Sequence, residues 1–242
     1  MRIVDRPSPN HNERPGGRAP DMLVLHYTGM QSAAGALDRL CDPAAQVSAH
    51  YTVDEDGTVY AHVPEERRAW HAGVAYWQGE TDVNGRSVGI EIVNPGHEFG
   101  YRPFPAMQMT AVAALSGAIV SRYGIRPLGV VGHSDVAPER KTDPGELFDW
   151  RMLAAAGVGY WPGAGAVRER IEAADAADLQ ALGRNLGRIG YRWPDAPDKS
   201  KAEEQARTAV VAAFQRHFRP ASVTGAADPE TAALAAVVAA AA

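Results

Sequence analysis

The sequence predicts an α/β fold, a mixed central β-sheet covered by helices, followed by a small C-terminal three-helix domain. Three observations predict it. Short β-branched runs alternate with longer stretches of helical periodicity as far as Trp150, a cluster of Gly and Pro between Gly157 and Gly165 breaks the pattern, and the remainder is Ala-rich and helical. With 242 residues and 45% hydrophobic content, the chain can bury one full core and a smaller second one. The expected division is a main domain over 1–162, a linker over 163–174 and a helical domain over 175–242.

The elements follow in order. A Pro/Gly-rich arm from Met1 to Pro20 leads into the apolar run Met22 to Leu25, read as a buried strand that delivers His26 at its end. A helix is expected from Ser32 to Leu40. Val47 to Val53 and Thr58 to Val63 flank Asp54-Glu55-Asp56-Gly57, where Asp-Gly supplies the positive φ of a hairpin turn. Ser87 to Val93 alternates and reads as a strand; Pro105 to Tyr123 reads as a helix stopped by Gly124, and Leu128 to Val131 as a strand. Three helices are expected in the tail, about Asp178 to Gly187, Lys199 to Phe218 and Asp228 to Ala240, with Leu179, Leu182, Leu186 and Ile189 at core spacing.

Composition removes several classes of partner. The formal charge is −5, with 24 basic residues against 29 acidic ones spread along the chain, which leaves no basic footprint for nucleic acid. The single cysteine, Cys41, excludes an intrachain disulfide framework. The arm lacks the apolar core of a secretory signal, and the Ala-rich run near the end is too short and too weakly apolar to span a bilayer. A cytoplasmic protein without membrane span or obligate protein partner is expected, with access to the periplasm or wall by another route left open.

His26 and His133 each end a short apolar run, and Asp143 follows His133 in the loop Arg140-Lys141-Thr142-Asp143-Pro144-Gly145. Strand ends are rigid and open onto loops, so they hold convergent side chains while admitting substrate. Two imidazoles and a carboxylate suffice for a catalytic zinc with one open position. On spacing alone the signal is poor, because the residues lie far apart and each histidine taken singly reads first as structural.

Five ordered stretches sharpen it: Val24-Leu25-His26-Tyr27-Thr28; Val47-Ser48-Ala49-His50-Tyr51 leading to Asp56-Gly57; Arg68-Ala69-Trp70-His71-Ala72-Gly73; Ser87-Val88-Gly89-Ile90-Glu91; and Gly132-His133-Ser134-Asp135-Val136-Ala137-Pro138 through Gly145. Together they resemble the N-acetylmuramoyl-L-alanine amidases of type 2, the AmpD/AmiD-like zinc amidases, over nearly all of residues 20 to 152. The resemblance implies that family's T7-lysozyme-like fold and cleavage of the amide between N-acetylmuramic or 1,6-anhydro-N-acetylmuramic acid and L-alanine in peptidoglycan fragments. It implies one zinc held by His26, His133 and Asp143, Glu91 as general base, and Lys141 as stabiliser of the oxyanion. Ile90 and Ile92 place Glu91 on the opposite strand face, but alternation does not say whether that face is solvent or cleft.

Trp70, His71, Tyr76 and Trp77 cluster in a Gly-containing loop suited to the flat faces of sugars and peptide stems, and are assigned to substrate binding; aromatics that merely anchor their own loop are the alternative. His50 and His62 lie on hairpin strands and read as structural, while His11, His97 and His217 carry no assignment. The tail, through Phe214-Gln215-Arg216 and the order of its small and apolar residues, resembles peptidoglycan-binding domains of type 1; a three-helix appendage that only stabilises the main domain is the other reading. Recycling of muropeptides in the cytoplasm is favoured over attack on intact wall. A non-catalytic peptidoglycan receptor and a hydrolase of a different amide are the rival classes.

Overall fold

A computed structural model describes residues 2–172, 176–194 and 200–242, with the side chains of 176–180 excepted. The strands are β1 (Ile3–Asp5), β2 (His11–Glu13), β3 (Met22–Tyr27), β4 (Tyr51–Val53), β5 (Val59–Ala61), β6 (Arg67–Ala69), β7 (Ser87–Ile92) and β8 (Val130–Gly132). The helices are α1 (Ala33–Cys41), α2 (Val83–Arg86), α3 (Gly96–Phe99), α4 (Ala106–Tyr123), α5 (His133–Val136), α6 (Trp150–Ala155), α7 (Ala164–Glu172), α8 (Ala176–Ile189), α9 (Lys201–Phe218) and α10 (Pro229–Ala239). One sheet runs β1-β5-β4-β7-β3-β8, with β4 and β5 antiparallel and the other neighbours parallel; β2 and β6 form a separate antiparallel pair.

The continuous apolar run of β3 reflects its central position. Met22, Leu23, Val24 and Leu25 are all fully buried, as parallel strands covered on both faces require. On one face Leu23, Leu25, Val88, Ile90 and Val130 pack with Val112, Leu115 and Ile119 of α4. On the other, Met22, Val24 and Val131 share a core with Leu182, Leu186, Ile189, Tyr191 and Phe214 of the tail. Side chains alternate along a strand, so His26 belongs to the same face as Met22 and Val24. The tail helices therefore cover the lower part of the face whose upper end carries His26.

The expected elements and the observed ones differ in instructive places. The hairpin turn is present, with Gly57 at φ +82, but its strands are only three residues long. The N-terminal arm contributes β1, which pairs with β5, and β2, which pairs with β6. Such short strands, interrupted by proline, leave no period to read. The segment expected as a linker is helical over Ala164–Glu172; residues 173 and 174, the first residue of the expected tail domain, the expected start of a helix at Lys199 and the core role of Leu179 fall outside the described residues. Among the described residues no helix is long and apolar enough to cross a membrane.

Two buried polar side chains fasten the frame. Gln108 of α4 donates to the carbonyls of Val53 and Val93, at the ends of two neighbouring strands. Arg14 is 4% exposed and donates to the carbonyls of Glu65, Asn84, Gly85 and Ser87, tying the arm to the segment before β7. Replacing Arg14 by Met leaves those carbonyls without their donor, and each buried unpaired group costs about 1–3 kcal/mol where water cannot reach it. Arg14→Met is expected to lower the thermal midpoint by at least about 5 °C, since about 1 kcal/mol moves a domain of this size by about 2–4 °C. A calorimetric scan showing an unchanged midpoint would contradict this role.

Candidate functional site

Parallel pairing of β3 with β7 sets His26 beside Glu91 in register, on one face of two adjacent strands. β8 pairs with the other side of β3 and ends at Gly132, so His133 emerges next to the same end. Asp143 arrives from the following loop, which Ser134 N holds by donating to the Asp143 carbonyl at 2.8 Å. Three strand ends and one loop thus converge.

His26 Nδ1 lies 2.9 Å from His133 Nδ1 and 3.1 Å from Asp143 Oδ2, and His133 Nδ1 lies 3.0 Å from that same oxygen. All three residues are buried, at 1%, 4% and 5% exposure. Three such atoms so close together are placed to share one cation. Their separations approach the ~3.3 Å edge that bonds of ~2.0–2.1 Å make in a tetrahedral site.

The outer ring nitrogens determine which tautomers occupy the site. His133 Nε2 lies 3.1 Å from Ala72 O, an acceptor only, so it carries the proton and leaves Nδ1 with its lone pair turned inward. His26 Nε2 lies 3.1 Å from His71 Nδ1, and His71 Nε2 lies 3.3 Å from Ser87 Oγ, which donates to Val83 O at 2.6 Å. Read from that last carbonyl, whose donor is the Ser87 hydroxyl, the chain runs one way: His71 donates to Ser87, and His26 donates to His71. His26 Nδ1 is then also a free donor atom for a cation. Burial, reinforced by the charge of His133, lowers the His26 pKa to about 4, and burial pushes that of His71 well below its ordinary value. Asp143 is held well below the carboxylate range by the imidazoles, which outweigh its burial. Two imidazoles and a carboxylate are the donor set a divalent metal needs, and these residues fit one.

Above this cluster opens a cleft of about 390 Å³, whose lining includes Trp70, His71, Glu91, His133, Lys141 and Asp143. One Glu91 carboxylate oxygen is buried with no hydrogen-bond partner among the described residues. Burial, then the charge of Asp143, raises the Glu91 pKa well above the ordinary value, while Lys141 opposes the shift. A carboxylate so tuned is suited to proton transfer near neutral pH.

The four loop aromatics part company. Trp70 reaches the cleft, with its indole N–H held by Asn12 at 2.8 Å. His71 lines the cleft too, yet its ring is buried against Gly89, where an added Cβ would lie 2.5 Å from the imidazole. It accepts from His26 Nε2 as well as lining the cleft. Trp77 is 2% exposed, edge-on to Tyr191, so its indole belongs to the core and not to a sugar-binding surface. Tyr76 does not line the cleft and instead lies under the Arg192 guanidinium. Both depart from the expected substrate-binding role, because the loop turns them away toward the tail.

His50 and His62 spend both ring nitrogens on the framework: His50 on Gly89 N and Arg67 O, His62 on Arg6 O and the Thr52 hydroxyl. Sequence reasoning missed the cleft residues Tyr27 and His97. The Tyr27 hydroxyl lies 3.0 Å from both His97 Nδ1 and Thr142 Oγ1, joining α3 to the loop of Lys141 and Asp143. The position of Tyr27, directly after a candidate ligand, was the only signal available for it.

The chain is similar to known amidases over most of its length. The family described as N-acetylmuramoyl-L-alanine amidase matches residues 16–146. The N-acetylmuramoyl-L-alanine amidase AmiD of Escherichia coli is 40% identical over 232 residues, 88% of this chain and 80% of that protein. The 1,6-anhydro-N-acetylmuramyl-L-alanine amidase AmpD of Enterobacter cloacae is 34% identical over 166 residues, 62% of this chain and 87% of its own. Among solved structures, E. coli AmiD in complex with anhydro-N-acetylmuramic acid-L-Ala-D-gamma-Glu-L-Lys aligns with a TM-score of 0.81 at 35% identity, covering 95% of this chain and 96% of that one. AmpDh3 of Pseudomonas aeruginosa in complex with anhydromuramic pentapeptide aligns at 0.80 and 32% identity, covering 92% of each.

If His71 orients His26, His71→Phe keeps an aromatic ring against Gly89 but removes the acceptor for His26 Nε2. Affinity for Zn2+, read by competition with a chromogenic chelator, is expected to fall by about 10- to 100-fold, the usual cost of losing an outer partner of a ligating histidine. Affinity equal to the parent's would contradict the relay.

Proposed function

The chain belongs to the N-acetylmuramoyl-L-alanine amidase family, and from that premise we propose that it hydrolyses the amide joining N-acetylmuramic or 1,6-anhydro-N-acetylmuramic acid to the L-alanine of a peptide stem, using one zinc ion held by His26, His133 and Asp143. The observation that carries this reading is the meeting of two imidazole Nδ1 atoms and a carboxylate oxygen beside a second carboxylate, one of whose oxygens is buried without a hydrogen-bond partner among the described residues.

When bound, the ion supplies Lewis acidity toward the amide carbonyl and toward water. Glu91 accepts a proton from the attacking water and returns it to the alanine nitrogen as the C–N bond breaks. Its raised pKa serves both halves, since a more basic carboxylate takes the proton more readily and then remains an acid strong enough to protonate the amine. Lys141, on the cleft wall, supplies a cation to the oxygen that gains charge. Trp70 offers an aromatic face to the sugar or stem, and His71 keeps His26 in its tautomer.

Soluble anhydro-muropeptides are the substrate class we favour, and cell-wall recycling the use. Support comes from the AmiD and AmpDh3 structures, each solved with an anhydromuramic peptide. The cleft is of a size that takes a sugar and the first stem residues. The resemblance of residues 175–242 to peptidoglycan-binding domains is carried as a companion proposal, that this part adds affinity for polymeric wall, with sedimentation of the Glu91→Gln protein with sacculi as its readout.

Release of L-Ala-headed peptides from 1,6-anhydro-muropeptides, followed by chromatography, tests the reading. Glu91→Gln is expected to retain one zinc per chain while turnover falls by about 10²- to 10⁴-fold, the contribution of a positioned general base. His26→Ala and Asp143→Ala are expected to lose both metal and turnover. Activity that persists after stringent chelation would overturn the zinc assignment, and faster release from intact sacculi than from the fragments would overturn the substrate class.

A further inference from the structure

Helix α5 is a single turn, His133–Val136, too short to fix the orientation of a metal ligand by its own hydrogen bonds. What holds it is Asp135, which is 1% exposed. Asp135 Oδ2 accepts from Gly132 N at 2.7 Å, bracketing His133 between the two residues that make this bond. The remaining capacity of the carboxylate goes to the tail. The Tyr191 hydroxyl, just beyond α8, donates to Oδ1 at 2.6 Å, and His217 Nδ1, in the last turn of α9, donates to Oδ2 at 2.8 Å.

Both tail donors are themselves fixed. The His217 ring is stacked between Trp150, at 3.8 Å and 18°, and Phe218, at 4.0 Å and 4°. Tyr191 meets Trp77 edge-on at 4.9 Å. The same Trp150 crowds Gly132, where an added Cβ would lie 3.3 Å from the indole and 2.8 Å from Pro144, the residue after Asp143. Val136, at the other end of the turn, lies in the core that the sheet shares with Leu182 and Phe214, and its carbonyl accepts from Tyr76 N at 2.8 Å. The position of α5 is thus set by the end of β8, the aromatic loop, the loop that carries Asp143, Trp150 of α6 and the tail.

We propose that Asp135 is a positioning residue through which Tyr191 and His217 orient His133, so that the C-terminal helices form part of the frame of the metal site. The inference rests on the zinc reading of that site. It assigns the tail a function inside the catalytic unit, separate from any affinity for wall polymer. An appendage that merely stabilised the fold would not need two of its buried polar side chains to meet on one carboxylate two residues from a ligand.

The test uses the full chain and measures Zn2+ affinity by chelator competition at a temperature where circular dichroism reports each variant fully folded. Tyr191→Phe removes one hydroxyl and keeps the ring; His217→Phe removes the donor and keeps the stack. Each is expected to weaken Zn2+ binding several-fold, and the pair by about 10- to 100-fold, the range known for outer partners of metal sites. His217→Gln, which retains an N–H donor, is expected to recover part of the loss. Should the double variant fail to fold, Tyr191→Phe alone decides, because it deletes a single oxygen atom. Zn2+ affinity within twofold of the parent, accompanied only by a lower melting temperature, would overturn the proposal while leaving the zinc reading intact. A parent protein that binds no Zn2+ would overturn the zinc reading, and this inference with it.

Discussion

Two imidazole nitrogens and a carboxylate oxygen, each within 3.1 Å of the other two and buried together, impose the constraint that orders the rest of this molecule. Lone pairs turned toward one point repel unless positive charge lies between them, and removing them from water makes that repulsion stronger. The protein sustains the arrangement by controlling what lies behind each ring. Ala72 O accepts a hydrogen bond from the outer N–H of one imidazole, and the His71–Ser87–Val83 relay accepts from that of the other. Burial lowers the pKa of His26 and of the His71 ring behind it, so His26 turns a lone pair toward the cluster.

The sheet makes this possible through the difference between its faces. One face is an apolar platform for α4, and its packing fixes where β3 and β7 lie. The other face is divided: its lower rows lie in the core shared with the tail, while its upper end carries His26 into the buried cluster and Glu91 onto the wall of the cleft. Register pairing holds His26 and Glu91, the proposed metal ligand and general base, at a strand spacing of about 4.8 Å. Gly89 completes the design on the same face, because the absent Cβ is the space that the His71 ring occupies. A glycine that looks like a weak point in a central strand is there to admit an imidazole.

How much of this was legible in the sequence depended on the range of the interaction. The strands that end in His26 and His133 announce themselves by apolar runs and a histidine at the point of emergence, and β7 by its alternation. The hairpin was legible from Asp56-Gly57, since that turn has a local chemical requirement. Loop aromatics were a different matter. Trp70 and Trp77 read alike, yet one faces the cleft and the other Tyr191, and only the path of the loop decides which. The contact between Asp135 and His217 spans 82 residues and leaves no local trace, so His217 carried no assignment although it is stacked and hydrogen-bonded within the core. Short edge strands in the N-terminal arm were equally silent, because pairing with β5 and β6, and not their own propensity, makes them strands.

The central claim is that His26, His133 and Asp143 together hold zinc, and X-ray absorption spectroscopy of the zinc-loaded protein tests it most directly. The account predicts a shell of nitrogen and oxygen neighbours only, at ~2.0–2.2 Å, with the outer-ring scattering of two imidazoles. A sulfur neighbour at ~2.3 Å, which would implicate Cys41, or the scattering of fewer than two imidazoles, would contradict it.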